Sequence, residues 1–372
     1  MVAAKVRSGY VAYPMMNEIR AQQLVRQAIK TFSLDLHGLV VLTEAASGLY
    51  ALTPLIAACA GADRVLALTR DSRFGSATAM RDMTMALARR WAIADRVKVL
   101  LSRDDEQIST ADIVTNLGFV RPLDMALLTR LKPTVAIPLM WETWEFRPAD
   151  LDLEACRRLG IPVLGTNEHV PELQTIGYIG HLSLKLLFDL DIEIFRSRIV
   201  VIGSGEFASV AVTALEGAGA FVVQLVPTSV GRLEYAEARE VLRDLDAVVI
   251  VEHHSRTQLI GQGSSVTATN LAEWSPGVVV AHICGAVDRE DLREARIQHA
   301  PAEIASAGHM SVATDYVGPR PLIELHTAGL RVGEALARAR LHGLTAREAE
   351  DEVLQSLAVA QGFVGYHDAV QR

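Results

Sequence analysis

The stretch Arg198-Ile-Val-Val-Ile-Gly-Ser-Gly-Glu-Phe-Ala208 decides the fold. Its β-branched run, Ile199 to Ile202, leads directly into Gly203, Gly205 and Ala208, and the helical pattern Val210-Ala-Val-Thr-Ala-Leu-Glu-Gly217 follows at once. The order is strand, tight glycine turn, helix. A dinucleotide requires this order, because its pyrophosphate rests on a helix N-terminus where backbone N–H groups and the helix dipole favour an anion. Gly203 permits the turn, Gly205 lets the backbone approach the phosphate, and the small Ala208 lets helix and strand pack closely. Glu206 and Phe207 complete the expected cofactor-binding turn.

Outward from this turn the pattern alternates short β-branched runs with longer helical stretches, which reads as α/β with mostly parallel sheets. Strands are expected at 39–43, 65–69, 97–101, 113–115, 135–138 and 162–165, then at 199–202, 221–226, 247–251, 278–283 and near 297–300. Helices are expected at 16–34, 171–190, 320–342 and 345–361, the third entered through Pro319-Arg-Pro321. The expected organisation is a discontinuous first domain, residues 1–170 plus 320–372, and a nucleotide-binding domain, residues 171–319. Both are Rossmann-like, with an interdomain cleft.

The 372 residues supply two ordinary cores, since half are apolar. A formal net charge of -8 argues against a dedicated nucleic-acid binder. No uncharged run is long enough to span a bilayer, and the N-terminus lacks the pattern of a signal peptide, so a cytoplasmic location is expected. Cys59, Cys156 and Cys284 show neither a disulfide framework nor zinc-ligand spacing, so no metal site is expected.

The second strand of the nucleotide half ends in Pro227-Thr-Ser-Val-Gly-Arg232 with no carboxylate at its tip. Thr228, Ser229 and Arg232 suit a 2′-phosphate better than a bare ribose hydroxyl, which favours NADP over NAD. Arg232 equally reads as a solvated loop charge. The strand Asp246–Val251 runs into Glu252-His253-His254, at the edge where open α/β sheets bind ligands. Either histidine there can relay a proton, or the two are simply exposed loop residues. Cys284 ends the next strand beside the expected cofactor edge, where a packed apolar thiol is the plainer reading.

Two further clusters stand out. Met140-Trp-Glu-Thr-Trp-Glu-Phe146 follows a strand, so Trp141, Glu142 and Glu145 form a candidate substrate wall, with a core seam as the equal alternative. Thr166-Asn-Glu-His169 precedes the helix at 171, which Asn167 or Glu168 would cap; His169 joins the substrate candidates.

Over roughly residues 110–335 the chain resembles the D-isomer-specific 2-hydroxyacid dehydrogenases, the formate and glycerate dehydrogenase group. The resemblance rests on Asp112-Ile-Val-Thr115, Leu131-Lys-Pro133, Asp150–Val163, the glycine turn, Trp274-Ser-Pro-Gly277, Cys284-Gly285 and Ala307-Gly-His-Met310. It implies hydride transfer between NAD(P) and a 2-hydroxy or 2-oxo acid, with His309 as the acid/base group. It also implies an arginine where Cys284 stands, so the substrate-carboxylate clamp must come from elsewhere, with Arg256 and Arg320 as candidates. Glu294 or Glu303 is the candidate partner of His309, and Asp315 or Tyr316 a candidate to fix substrate or imidazole.

The first half, through Leu39–Gly48, Gly61–Leu68 and Ala94–Val97, is similar to a class I methyltransferase core in which only Ser47-Gly48 remains of the glycine-rich turn. That resemblance keeps an S-adenosylmethionine-dependent methyltransferase as a rival reading, beside a non-catalytic nucleotide-binding protein. A small-molecule substrate and a homodimer are expected.

Overall fold

The computed structural model describes residues 17–363. They divide into two compact units: an inserted unit, residues 175–318, and a flanking unit formed by 17–174 with 319–363.

The flanking unit begins with the helix Glu18–Phe32, capped by the Asn17 side chain on the Arg20 N–H and ended by Ser33 in the left-handed region. Its strands are β1 (Val40–Glu44), β2 (Arg64–Leu68), β3 (Val97–Leu100), β4 (Ile113–Val114), β5 (Ile137–Pro138) and β6 (Val163–Thr166). The first four form a parallel sheet in the order β3-β2-β1-β4. A parallel bridge from Ile113 to Ala136 continues it to the β5–β6 pair. The strand order therefore reverses between β1 and β4. Central strands of such a sheet are covered on both faces, so they read as continuous apolar runs; Val41, Leu42, Val65 and Leu66 are all buried.

The helix Pro319–Leu341 lies in the core of this unit, buried on most of its circumference. Gly329 and Gly333 let it approach β5: a Cβ on them would stand 2.7 Å from Met140 Cε and 2.7 Å from Pro138 Cγ. Its His326 is fully buried against Thr53 Oγ1 at 2.7 Å, and burial pushes the imidazole down to about 3, so it stays neutral.

The inserted unit carries β7 (Arg198–Ile202), β8 (Phe221–Leu225), β9 (Ala247–Val251), β10 (Gln258–Ile260), β11 (Val279–Cys284), β12 (Ala286–Val287) and β13 (Gln298–Ala300). Five of these form an all-parallel sheet in the order β13-β11-β9-β7-β8, and β10 pairs with β12 separately. Here the order reverses between β7 and β9. The helix Gly205–Gly217 packs on the helix Tyr178–Asp189 through Gly180, where a Cβ would lie 2.6 Å from Ala214 Cβ.

Two expected helices are shortened. The one expected from residue 171 starts only at Tyr178, after a left-handed Gln174 (φ 42°) and a 3-10 turn at Thr175–Gly177. The one expected to reach 361 ends at Ser356. Beyond it β14 (Ala360–Gln361) runs antiparallel to β6, so pairing at the sheet edge overrides the helical pattern. Among the described residues no helix is long and apolar enough to cross a membrane.

Candidate nucleotide and anion site

β7 is buried from Ile199 to Ile202, which commits its backbone to the sheet up to the glycine turn. The Gly203 N–H donates to Leu225 O at 3.2 Å, and Gln224 Nε2 donates to Gly203 O at 3.0 Å. A Cβ on Gly203 would stand 2.9 Å from both C and O of Val251, so only glycine lets β7 and the end of β9 come this close. Gly205 is left-handed at φ 64°. Ala208 is fully buried beneath the turn.

Ser204 stands at the N-cap of the helix Gly205–Gly217 but makes no capping bond. Its hydroxyl donates instead to Glu252 Oε2 at 2.7 Å. The first amides of this helix thus have no side-chain cap, which leaves the partial positive charge of the helix start available to an anion. Glu206 lies exposed in the first turn.

Glu252, buried at the carboxyl end of β9, ties this region together. Besides Ser204 it accepts the N–H of His254 at 2.7 Å and of Ser255 at 2.9 Å. Burial opposes its ionisation, but the Ser204 hydroxyl and these two N–H groups outweigh it, and the carboxyl lies below its ordinary value. The His253 ring stacks on Phe207 with centroids 4.1 Å apart. A cavity of about 500 Å³ opens here, lined by Ser204, Pro227 to Gly231, Glu252 and His254 to Arg256. The loop that carries Thr228, Ser229 and Arg232 is closed by Thr228 N–H to Arg232 O at 2.7 Å and Arg232 N–H to Thr228 Oγ1 at 3.2 Å. Thr228 and Ser229 line the cavity, and the Arg232 residue is exposed.

At the end of β11, Cys284 is buried, and burial first, then the Glu252 charge, pushes its thiol far up. It is a neutral packing group. Its backbone bridges to Met310, and Ser311 N–H donates to Ile283 O at 2.7 Å, which brings the loop of His309 back to the strand. The buried His282 fixes that loop. Its Nε2 faces Gly285 O at 3.0 Å and so carries the proton; its Nδ1 then accepts from Ser311 Oγ at 2.8 Å, and Ser311 Oγ accepts Ala305 N–H at 2.7 Å. Burial pushes His282 down to about 4, consistent with this neutral form.

His309 is exposed at the loop tip, with Ser306 Oγ 3.4 Å from its Nδ1. Glu303 and Tyr316, expected beside it, are engaged elsewhere: Glu303 pairs with Arg289 at 2.6 Å, and Tyr316 donates to Asp189 Oδ2 at 2.7 Å. Arg256 lies against Gly308, where a Cβ would be 3.2 Å from its Nε and 3.6 Å from its Cζ. Arg320, the other candidate clamp, is engaged with Glu324 at 2.8 Å.

In the flanking unit, Glu142 is buried and gathers Trp144 Nε1 at 2.5 Å, Gln361 Nε2 at 3.3 Å, Glu168 N–H at 3.3 Å and His169 Nδ1 at 3.0 Å. Burial, then the Glu142 charge, pushes Glu145 up to about 7. The Trp141 ring lies under the Arg121 guanidinium at 5.3 Å. Asn167 does not cap a helix; its Oδ1 accepts the His169 N–H at 3.1 Å.

No protein-family model matches the chain, and no curated protein matches it either. Among solved structures, a dipicolinate synthase polypeptide from Bacillus halodurans aligns over 82% of this chain and 99% of its own, at 11% identity and a TM-score of 0.50. The chain shares its fold with that dipicolinate synthase component. The corresponding dipicolinate synthase polypeptide from Bacillus subtilis aligns over 86% of this chain and 99% of its own, at 13% identity and a TM-score of 0.49. A 2-hydroxyacid dehydrogenase from Ketogulonicigenium vulgare aligns over 83% and 98%, at 15% identity and a TM-score of 0.40.

Within this shared fold, the structure brings Gly203, Gly205, Phe207, His253 and His254 together, with Thr228 and Ser229 on the same cavity. Ser204 and Glu252, which tie the turn to the loop, are not among the residues that the sequence singles out for the site. The signal for Glu252 is its place in a polar triplet directly after β9; its hydroxyl partner lies 48 positions earlier and shows only in three dimensions.

Proposed function

We propose that the chain is an NAD(P)-dependent oxidoreductase acting on a small polar substrate of the 2-hydroxy or 2-oxo acid kind. The uncapped glycine turn at the reversal point of the inserted unit's sheet carries this reading. Gly203 and Gly205 are both confined to glycine by this close packing, since a Cβ at either meets neighbouring atoms within 3 Å. Thr228 and Ser229, with no acidic residue at the tip of β8, favour a 2′-phosphate and hence NADP. When bound, the nicotinamide supplies or takes up the hydride.

The chain's own residues do the rest. His309 donates or accepts the proton at the substrate oxygen, a task its imidazole nitrogens can perform as donor or acceptor. Arg256, beside Gly308 and with no ion pair among the described residues, binds the substrate anion in place of the arginine that Cys284 replaces. The ordered Ser311–His282 link holds the His309 loop against the end of β11.

Titration with NADH, NADPH and S-adenosylmethionine tests the reading: a reduced nicotinamide nucleotide binds and S-adenosylmethionine does not. With 2-oxo acids as substrates, His309→Ala lowers turnover by on the order of a hundredfold while cofactor affinity holds. Arg256→Lys raises KM more than it lowers kcat. Turnover unchanged in His309→Ala removes that residue from the mechanism. Nucleotide binding without turnover on any 2-oxo acid favours a non-catalytic role.

A further inference from the structure

The glycine turn of the inserted unit is roofed. The end of β9 sends two imidazoles over it: a Cβ built on Gly205 would meet His254 Nε2 at 2.7 Å and Cδ2 at 3.4 Å, then His253 Cε1 at 3.5 Å. The two rings lie 3.8 Å apart, tilted by 39°, and His253 rests on Phe207 behind them. This placement is fixed, because Glu252 holds the His254 and Ser255 amides with one oxygen and the Ser204 hydroxyl of the turn with the other. His254 also lines the adjoining cavity.

We propose that His253 and His254 form a proton-linked clamp for the diphosphate of the bound nucleotide. The inference rests on the nucleotide reading above and adds the residues that grip the phosphates and the condition under which they do so. An imidazole nitrogen aimed at a phosphate cradle gains most when it carries a proton, since a charge-assisted bond to phosphate is about twice as strong as a neutral one.

The charged groups around the pair are Glu206 on the first helical turn, Glu252 at the end of β9 and Arg256 on the following loop. Before the ligand arrives, burial first and then the charge of His254 hold His253 below the usual histidine range, and the carboxylates of Glu252 and Glu206 only partly offset this. His253 is therefore neutral at pH 7. A diphosphate adds further negative charge beside the pair, so binding takes up a proton. Affinity then rises as pH falls through the liganded value and levels off below the unliganded one, by up to about tenfold per pH unit for each proton taken up.

The test is calorimetric titration of the full chain at pH 6 and pH 8 with NAD+, NADP+, inorganic pyrophosphate and adenosine. Wild type is compared with His254→Gln and with His253→Phe, which keeps the stack on Phe207. Thermal unfolding confirms that both variants fold. NAD+, whose diphosphate does not itself titrate in this range, binds about tenfold more tightly at pH 6 than at pH 8 in wild type. Both variants flatten this difference, and adenosine shows none. Pyrophosphate does titrate, so for it the wild-type-minus-variant difference is the readout. NAD+ affinity that is equal at both pH values, or a pH dependence that survives in both variants, overturns the clamp and leaves the oxidoreductase reading standing. Pyrophosphate binding with the clamp's pH dependence, but no binding of NAD+ or NADP+, supports the clamp and overturns the oxidoreductase reading. If NAD+, NADP+ and pyrophosphate all fail to bind, both are overturned.

Discussion

The first strand of each unit meets its second strand in the same way, and the two then part. In the flanking unit Ala45 N–H donates to Leu68 O at 2.8 Å; in the inserted unit Gly203 N–H donates to Leu225 O at 3.2 Å. The residue just before is Glu44 in one and Ile202 in the other. Ile202 is buried in the apolar core and leaves only backbone at the strand's end. Glu44 is also buried, but it places a carboxylate at the reversal point of its sheet, where Oε2 accepts the Phe119 N–H at 3.0 Å. The chain next enters a helix directly at Gly205 in the inserted unit, whereas the flanking unit inserts a 3-10 turn, Gly48–Ala51, before its helix Leu52–Cys59. One turn keeps amides with no side-chain cap beneath the His253–His254 pair; the other is filled from within by its own acid. Shared topology therefore does not make two equal sites, and an anionic ligand is expected only at the first.

The most disruptive change is Gly203→Val. Its side chain is forced against the Val251 backbone, so nucleotide binding is lost and the inserted unit is destabilised by about 1–3 kcal/mol, typical of overpacking. Calorimetry and thermal unfolding read both effects. One nucleotide per chain is the stoichiometry expected of wild type, and any binding that survives this variant breaks the contrast between the turns.

Glu252→Ala comes next. It leaves two amides and a hydroxyl without their acceptor, at a cost of about 1–3 kcal/mol. Because the folded-state value of Glu252 is lowered, its contribution is fully present above the ordinary carboxylate value and is lost as pH falls through the lower folded value. Wild type therefore loses more stability than the variant across that acidic window.

Glu44→Gln is the gentlest change and has the opposite sign. Burial raises the Glu44 carboxyl, with the Phe119 N–H and the Arg121 charge lowering it less, so ionised Glu44 costs stability at neutral pH. Wild type recovers that stability as pH falls through the raised value toward the ordinary one. The glutamine variant is equal to or more stable than wild type at pH 7, by on the order of 1 kcal/mol, and lacks this recovery. A variant that unfolds more readily at pH 7 shows instead that the carboxylate is required there.

Much of this was legible from local pattern. The β-branched runs at 199–202, 247–251 and 278–283 are central strands buried on both faces, and such runs announce themselves without any partner. The glycine turn was readable because its constraint, absence of a Cβ, belongs to single residues. What escaped depended on distant partners. β14 has two residues and exists only because β6 offers an edge; β10 and β12 exist only as each other's partner. Glu142 looked like one acid of a ligand wall, yet it bonds to Gln361, 219 positions later. Of the proposed arginine clamps, sequence treated Arg256 and Arg320 alike, and only the Glu324 pairing separates them.

The strand at Ala360–Gln361 has a consequence for biosynthesis. Among the described residues the inserted unit is one continuous stretch, and it has all its sheet strands once residue 300 has been made. The strands β1 to β6 of the flanking unit are translated first, but that unit lacks its core helix, Pro319–Leu341, and its edge strand until residue 361 has been made. The unit whose strands are made first is thus the unit that completes its fold last, so its apolar strands are synthesised well before the helix that covers them.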